Sequence, residues 1–290
     1  MTTTTTTTTK TTNGAAATRP APAPKAAPTA DAAAAGARDR APTGTTERPR
    51  SLGFAAAEAV LRGLARYHEY EAFGFEHLPR TGPALIAFHH TLATYDSFLL
   101  GVPMLDRLGR VFRGLADRFI FRTPPLRQIF EGAGFVEGTR EAVVEMLGRG
   151  EIIGLAPGGM REGLRSSRAK YTFDWAGRTG FVRMSMLSGA PIVLAACPRG
   201  DDLYTVIDNP VTPWVYERFR APAPLFVGRW GTAVPRPRKL WHLLSEPIYP
   251  DVAKDQVRDE DVVAHHARVV SRMRRLMVDA LDLDPEGGPV

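Results

Sequence analysis

The sequence predicts an α/β fold in which a largely parallel or mixed central sheet is flanked by helices. Short, continuous apolar runs recur along the chain, and amphipathic segments with helical spacing separate them. Strands covered by helices on both faces are continuously apolar, as in parallel sheets. A hydrophobic content of 44% and a charged content of 23% are ordinary for a globular chain of 290 residues.

The first predicted element is a helix over residues 52–67, because Phe54, Ala57 and Leu61 recur at helical spacing. The continuous apolar runs predict buried strands at residues 84–88, 111–115, 152–155 and 191–196, with a strand end at 135–136. The amphipathic stretches predict helices at residues 97–107, 125–131, 140–149, 178–187 and 261–281. No regular element is predicted within 201–250, where prolines and aromatic residues are frequent.

The composition divides the chain at about residue 50. Residues 1–50 are rich in Thr, Ala and Pro, so they are predicted to be a disordered basic tail. Residues 51–290 are predicted to form one domain, with an N-terminal amphipathic helix (51–68), a core (70–200) and a C-terminal extension with a terminal helix (201–290). The tail carries +4 of the net charge of +6, so the domain is near neutral and no nucleic-acid partner is indicated.

Membrane contact is expected to be peripheral. No apolar run approaches the ~20 residues that span a bilayer, and no secretory signal is expected at the N-terminus. The single cysteine, Cys197, excludes an intramolecular disulfide and fits a reducing compartment such as the cytoplasm. The helix at 52–67, preceded by the Arg-bearing tail, is predicted either to lie in a membrane interface or to pack on the protein's own core.

The segment HHTLATYD at residues 89–96 carries the main chemical signal. It follows a predicted strand, where α/β folds place their chemistry. A histidine is a competent base near neutral pH, and an aspartate can orient it and stabilise its cation. His90 is the better candidate, because His89 alternates to the other face of the strand. The alternative is that the histidines are strand-end polar residues and Asp96 a first-turn acid of the next helix.

The loop APGGMRE at residues 156–162 follows another predicted strand. Gly158 and Gly159 allow a tight turn whose amides can face a ligand, and Arg161 offers a planar fork for a phosphate or carboxylate. Arg140, at the start of a predicted helix, lies beside a further strand end. The basic residues that follow the loop are expected to be mostly solvated: Arg165, Arg168 and Lys170.

In their order along the chain, these segments resemble the PlsC-like glycerolipid acyltransferases, from about residue 70 to residue 200. The usual first box of that family, H-x4-D, corresponds to His90-x5-Asp96, which is one residue longer. The P-E-G-T-R-S box corresponds to residues 157–162, with Gly158 and Glu162 in place of the usual glutamate and serine. Residues 138–140 loosely match the second box, and residues 190–193 match the fourth. The longer spacing and the P-G-G-x-R-E form resemble the branch related to diacylglycerol acyltransferases.

The resemblance implies a PlsC-like fold and the transfer of a fatty acyl group from acyl-CoA or acyl carrier protein to a hydroxyl of a glycerolipid or other lipid alcohol. It implies His90 as general base with Asp96 as the second catalytic residue. The residues that it implies in substrate binding are Arg140, Gly158, Gly159, Arg161 and Glu162. No metal and no cofactor other than acyl-CoA as co-substrate are expected. The expected location is the cytoplasm, peripheral on the inner face of the plasma membrane, and the departures from the usual boxes favour an acceptor less charged than lysophosphatidate.

Other functions remain as alternatives. A nucleotide-binding oxidoreductase would use the glycines at 132, 134 and 138, although the third glycine is one position late. A metal-dependent hydrolase would use His89, His90 and Asp96 together with the pair at 265–266. A non-catalytic relative of the family would bind acyl-CoA or lipid without turnover.

Overall fold

The protein is described here from a computed structural model, which covers residues 1, 52–116, 118–132, 134–175, 177–219 and 223–283. The tail predicted to be disordered, residues 1–50, lies outside the described residues except for Met1, so its disorder stays a prediction.

The described residues form nine strands and ten α-helices. The strands are β1 (Glu71–Phe73), β2 (Ala84–Phe88), β3 (Phe112–Ala116), β4 (Val136–Glu137), β5 (Ile152–Leu155), β6 (Ile192–Ala196), β7 (Thr205–Val206), β8 (Phe226–Val227) and β9 (Trp241–Leu244). The helices are α1 (Leu52–Tyr67), α2 (Tyr95–Leu99), α3 (Gly101–Leu108), α4 (Arg118–Arg122), α5 (Pro124–Gly132), α6 (Arg140–Gly148), α7 (Gly159–Gly163), α8 (Gly180–Ser188), α9 (Val211–Phe219) and α10 (Asp259–Asp282).

Seven of the strands form one mixed sheet in the order β1-β9-β6-β2-β5-β3-β4. The run from β6 to β4 is parallel, whereas β9 pairs antiparallel with β6 and parallel with β1. Strands β7 and β8 form a separate antiparallel pair. The predicted fold class, a largely parallel or mixed sheet flanked by helices, is confirmed.

The two faces of the sheet pack against different helices. Along β2, Leu85 and Ala87 belong to one apolar cluster, and Ile86 and Phe88 to the other. The first cluster includes buried residues of α6, α8 and α10, and the second includes Met104 of α3. Because side chains alternate along a strand, the two residues after β2 also leave on opposite faces.

The principal differences from the predicted elements have physical causes. The helix predicted at 97–107 is two helices, α2 and α3, separated at Leu100. Pro103 lies in α3 and has no N–H to offer the carbonyl of Leu99, so a continuous helix cannot form there. Strands β1 and β9 and the elements between residues 201 and 250 were not predicted, because each is short and takes its stability from partners distant in sequence.

Helix α1 is amphipathic but only partly packed. Leu61, Leu64 and Ala65 contact a small apolar cluster, whereas Leu52 and Val60 are exposed. Arg62 joins α1 to α3 through two hydrogen bonds to Asp106, of 2.9 and 2.6 Å. Among the described residues, no helix has the length and apolarity that a bilayer crossing requires.

Candidate active site

His90 lies just beyond the carboxyl end of β2 and lines a cavity of about 760 Å³. Its Nδ1 lies 2.7 Å from the carbonyl oxygen of Thr91. Because a carbonyl only accepts, the neutral ring carries its proton on Nδ1, and Nε2 keeps the lone pair that a base requires. Burial is the main influence on the pKa of His90 and lowers it, outweighing the Thr91 carbonyl and the charge of Asp96. The ring is therefore neutral at physiological pH.

Thr94 places a hydroxyl against this base. Its Oγ1 lies 3.0 Å from Nε2 of His90. The backbone of Thr94 has a φ of 52°, which is unfavourable for a β-branched residue. Strained backbone of this kind is concentrated at functional sites. The same Oγ1 lies 3.1 Å from Nδ1, so the Thr94 hydroxyl sits over the face of the His90 ring.

His89 leaves β2 on the opposite face and is fully buried. Its Nδ1 accepts a hydrogen bond of 3.5 Å from the backbone N–H of Cys197. Burial lowers the pKa of His89 to about 3, despite the opposing charge of Asp96. His89 does not line the cavity, so of the adjacent pair it is His90 that the fold presents to a ligand.

Asp96 lies in the first turn of α2 and is fully buried. Thr91 Oγ1 donates a short hydrogen bond to its Oδ1, and His242 Nε2 lies 3.5 Å from its Oδ2. No hydrogen bond joins Asp96 to His90 among the described residues, so the carboxylate acts on His90 through its charge. Burial, the largest influence, raises the pKa of Asp96, but His242, His89 and Thr91 together outweigh it and lower the pKa. Asp96 is therefore an anion.

His242, on β9, is a site residue that the sequence did not reveal. It is fully buried, and its Nδ1 lies 2.8 Å from the hydroxyl of Tyr70. When Tyr70 donates to Nδ1, the proton of the ring is on Nε2 and faces Asp96. No motif marks His242, because its relation to Asp96 depends on pairing between β9 and β6.

Glu162, in α7, supports the backbone of His90. Its Oε1 accepts a 3.0 Å hydrogen bond from the His90 N–H, whereas the buried Oε2 has no partner. Burial raises the pKa of Glu162 to about 8, against the opposing effects of the His90 N–H and Arg165. Gly158 and Gly163 are required here, since a Cβ at 158 would overlap Glu162 Oε2 and a Cβ at 163 would overlap the His90 ring.

Arg165 ties this region together. It donates to the carbonyl oxygens of His90 and Glu162, and its Nη2 lies 2.6 Å from both carboxylate oxygens of Asp201. The expectation of a mostly solvated loop is thus wrong for Arg165, and also for Lys170, whose Nζ lies 2.7 Å from Asp202. Their acidic partners follow more than 30 residues later, so the local sequence did not show the pairing. The expectation holds for Arg168, which is 85% exposed.

The predicted substrate-binding residues divide into two groups. Gly159 lines the His90 cavity, and Glu162 and the buried Gly158 lie behind its wall. Arg140 and Arg161 are exposed and do not line the cavity. Arg161 instead borders a separate cavity of about 230 Å³. Substrate contact by either arginine stays a prediction.

The basic residue that does line the cavity is Arg178, which the sequence analysis assigned only to a helix start. Its Nη1 donates to the carbonyl oxygens of Gly158 and Pro157, the latter at 3.3 Å. The Gly159 N–H is bonded to Ala156 O at 3.0 Å, so it is not available to a ligand in the cavity.

The rest of the cavity is mainly apolar and extends from the sheet toward α1. The Phe112 ring packs closely against Gly154 on the face of the sheet that carries Phe88, since a Cβ at residue 154 would lie 2.5 Å from that ring. A second cavity, of about 420 Å³, is lined by α1, α3 and α5. The two cavities share the following lining residues: Phe98, Phe112, Gly114, Phe130 and Phe135.

The geometry bears on two of the alternatives. The histidines at 265 and 266 lie on α10, where His265 contacts Arg268 and His266 meets Phe181 edge to face, so they do not join His90 and Asp96. The candidate metal ligands that do come together in the described part of the chain are Asp96, Cys197 and His242, with ligand atoms within 4.8 Å of one another. Gly132 is the last residue of helix α5, whereas a dinucleotide loop requires a strand before its first glycine.

Comparison with known proteins relates the central part of the chain to acyltransferases. A profile of the acyltransferase family matches residues 71–197. The chain is 29% identical over 214 residues to proteins of Bos taurus and of Homo sapiens, each named "DGAT1/2-independent enzyme synthesizing storage lipids"; each match covers 72% of this chain. The chain spans 62% and 64% of the length of these relatives.

A search of solved structures matches the 1-acyl-sn-glycerophosphate (LPA) acyltransferase PlsC of Thermotoga maritima, at 16% identity and a TM-score of 0.46. This match covers 82% of the present chain and 85% of the PlsC chain. The family resemblance deduced from the sequence motifs is confirmed by the profile and the relatives. The part of the chain that matches the acyltransferase family, residues 71–197, includes His90, Asp96 and the P-G-G-x-R-E loop.

Proposed function

We propose that this chain transfers a fatty acyl group from acyl-CoA to a hydroxyl of a lipid alcohol, with His90 as general base. The observation that carries the proposal is the position of His90, which lines a largely apolar cavity of about 760 Å³ and whose Nδ1 faces the Thr91 carbonyl, so that Nε2 is the unprotonated nitrogen. That volume is in the range of small-molecule sites. An apolar cavity with one neutral base suits a long-chain acyl group and a hydroxyl.

The reaction follows from these groups. Nε2 of His90 takes the proton of the acceptor hydroxyl as its oxygen attacks the thioester carbonyl. The carbon–sulfur bond then breaks, the ester forms, and the proton passes from His90 to the departing CoA thiolate. The anionic Asp96 stabilises the imidazolium by its charge. A thioester is already activated, so the step requires neither a covalent intermediate on the enzyme nor a further cofactor.

The charge of the cavity favours a neutral acceptor. Arg178 is the one Lys or Arg that lines it among the described residues, and Arg178 is bonded to two backbone carbonyls. A lysophosphatidate would bring a phosphate that calls for several donors. The relatives named for storage-lipid synthesis are consistent with a mono- or diacylglycerol or a long-chain alcohol as acceptor.

We further propose that the reaction takes place at the inner face of the plasma membrane, where both acyl-CoA and lipid alcohols are accessible. Acyl carrier protein is the alternative donor. Membrane contact is peripheral in this proposal, and the exposed Leu52 and Val60 of α1 are candidates for a share of it.

The test is incubation of the purified protein with labelled oleoyl-CoA and a panel of lysophospholipids, mono- and diacylglycerols and long-chain alcohols. His90→Ala and Asp96→Asn should each lower product formation by at least about 10²-fold. His77→Ala is the matched control, because His77 is partly buried and lies outside the cavity. Near-full activity in His90→Ala would refute the assignment of the base.

The same variants separate catalysis from binding alone. A non-catalytic relative would bind oleoyl-CoA and give no product with any acceptor. Calorimetric titration of the wild type and His90→Ala with oleoyl-CoA measures binding directly. Binding without turnover across the whole panel would favour the non-catalytic alternative.

A further inference from the structure

One segment, residues 203–239, lies between β6 and β9, and none of its described residues joins the seven-stranded sheet. It contains β7, α9 and β8. We call it the 203–239 excursion. Within it, Arg236 joins β7 and β8 by donating to Thr205 Oγ1 at 2.9 Å and to the Val227 carbonyl at 3.1 Å.

The excursion exposes an unusual number of large apolar side chains for its length. They include both exposed tryptophans of the described chain, Trp214 at 60% and Trp230 at 76%. The others are Ile207, Val211, Leu225 and Val234, which are between 44% and 54% exposed. Ile207 and Leu225 are joined by a backbone hydrogen bond of 2.8 Å, and Val211 and Trp214 are separated by three positions on α9. Exposed apolar residues that are grouped in this way indicate an interaction site.

The charge of the excursion favours an anionic partner. Residues 203–239 contain six Lys or Arg and two Asp or Glu, a net charge of +4, whereas the remainder of 51–290 carries −2. The guanidinium of Arg229 lies 3.9 Å from the centre of the Trp230 ring. Tryptophan beside arginine is typical of the water–lipid interface, and basic residues are attracted to anionic lipids.

The backbone favours an outward position of Trp230. Its φ is 55°, a conformation that a bulky residue adopts only when its surroundings impose it. Here the surrounding turn is closed by hydrogen bonds from Gly228 N–H to Thr232 O and from Arg229 N–H to Val234 O. A strained turn that holds an indole in solvent has no role in packing the protein's own core.

The same segment borders the candidate active site. Four of its residues line the His90 cavity: Tyr204, Pro224, Phe226 and Ala233. A surface that adjoins the cavity and binds a bilayer would bring lipid directly to the base.

We infer that the 203–239 excursion is the surface by which this protein binds an anionic membrane, with Trp214 and Trp230 inserted at the interface. The inference rests on the proposed function, because a lipid substrate is what makes a bilayer the partner in preference to another protein. It assigns the main membrane contact to this excursion and not to α1.

Tryptophan fluorescence gives a direct test with the full-length protein. The chain has four tryptophans, and Trp175 and Trp241 are only 2% and 1% exposed. Vesicles of phosphatidylcholine and phosphatidylglycerol with brominated acyl chains should quench up to about half of the emission, since two of the four indoles can reach the interface. The variant Trp214→Phe/Trp230→Phe should keep the emission of the buried pair and lose the quenching.

Co-sedimentation with the same vesicles measures binding itself. Trp214→Ser/Trp230→Ser should weaken binding by about tenfold or more, because the variant lacks the two indoles that insert into the bilayer interface. The matched control is Val263→Ser/Val278→Ser on α10, which removes two exposed apolar residues elsewhere and should leave binding unchanged. Binding should also fall when phosphatidylglycerol is omitted or salt is raised.

Three outcomes would overturn the inference. They are no quenching by any vesicle, equal vesicle binding by Trp214→Ser/Trp230→Ser and Val263→Ser/Val278→Ser, or Trp-dependent self-association in the absence of lipid. The last would make the surface an interface between copies of this chain. None of these measurements depends on turnover, and His90→Ala should bind vesicles as the wild type does. Failure of the acyltransferase proposal is therefore distinguishable from failure of the membrane surface.

Discussion

Glu162 should make the stability of this protein depend on pH in a direction opposite to that of most carboxylates. Its side chain is 4% exposed, and burial raises its pKa from 4.5 to about 8. The folded chain thus retains a proton that the unfolded chain releases above pH 4.5. The stabilisation is fully present below pH 4.5 and is lost progressively as the pH rises through the folded pKa of about 8.

The magnitude follows from the two pKa values. One pH unit of difference corresponds to about 1.4 kcal/mol, so an increase from 4.5 to about 8 corresponds to at most about 5 kcal/mol of unfolding free energy. Glu162→Gln keeps an oxygen that accepts from the His90 N–H but cannot ionise. The wild type should therefore lose stability relative to Glu162→Gln between pH 5 and pH 8.

Urea unfolding of both proteins at several pH values measures this difference. Glu141→Gln, which removes an exposed carboxyl from α6, is the control. A difference between wild type and Glu162→Gln that stays constant from pH 5 to pH 9 would refute the reasoning, since it would mean that Glu162 ionises alike in the folded and unfolded chains.

Two further predictions concern the position of the catalytic pair. Gly163→Ala should lower kcat by about 10²-fold, because the added Cβ displaces the His90 ring. Gly148→Ala, with open space around its Cβ, should leave steady-state activity unchanged. Equal activities of these two variants would contradict the packing of Gly163 against His90. His242→Leu should lower kcat about tenfold with little effect on KM, because the buried Asp96 loses its partner on β9. His242→Gln, which retains an N–H donor, should recover most of the lost kcat when kcat is measured as a function of pH. Identical kcat–pH profiles for His242→Leu and His242→Gln would argue against the role of His242.

The sequence was sufficient for the parts of the fold that are locally encoded. Strands β2, β5 and β6 are buried on both faces, so their composition is continuously apolar and their positions were predicted. Alternation along β2 was also enough to choose between His89 and His90, since a period of two fixes the face of each residue.

Features that depend on long-range pairing were not predictable from one sequence. Strand β9 is four residues long and pairs with β1 and β6, more than 40 residues away, so nothing local marked it or His242. Arg178 was missed for a related reason, because its contact with residues 157 and 158 crosses about 20 residues of chain. The loop that carries Arg161 follows strand β5, as predicted, but the orientation of Arg161 depends on the turn of α7, which no spacing rule specifies.

The residues that contact Asp96 extend beyond the part of the chain that matches the family. The family match ends at residue 197, yet His242, which contacts Asp96, and Tyr70, which contacts His242, both lie outside it. A fragment trimmed to the matching residues would retain every motif and lose the support of its aspartate. Substitutions in the last 50 residues can therefore alter the surroundings of Asp96 without touching any recognised box.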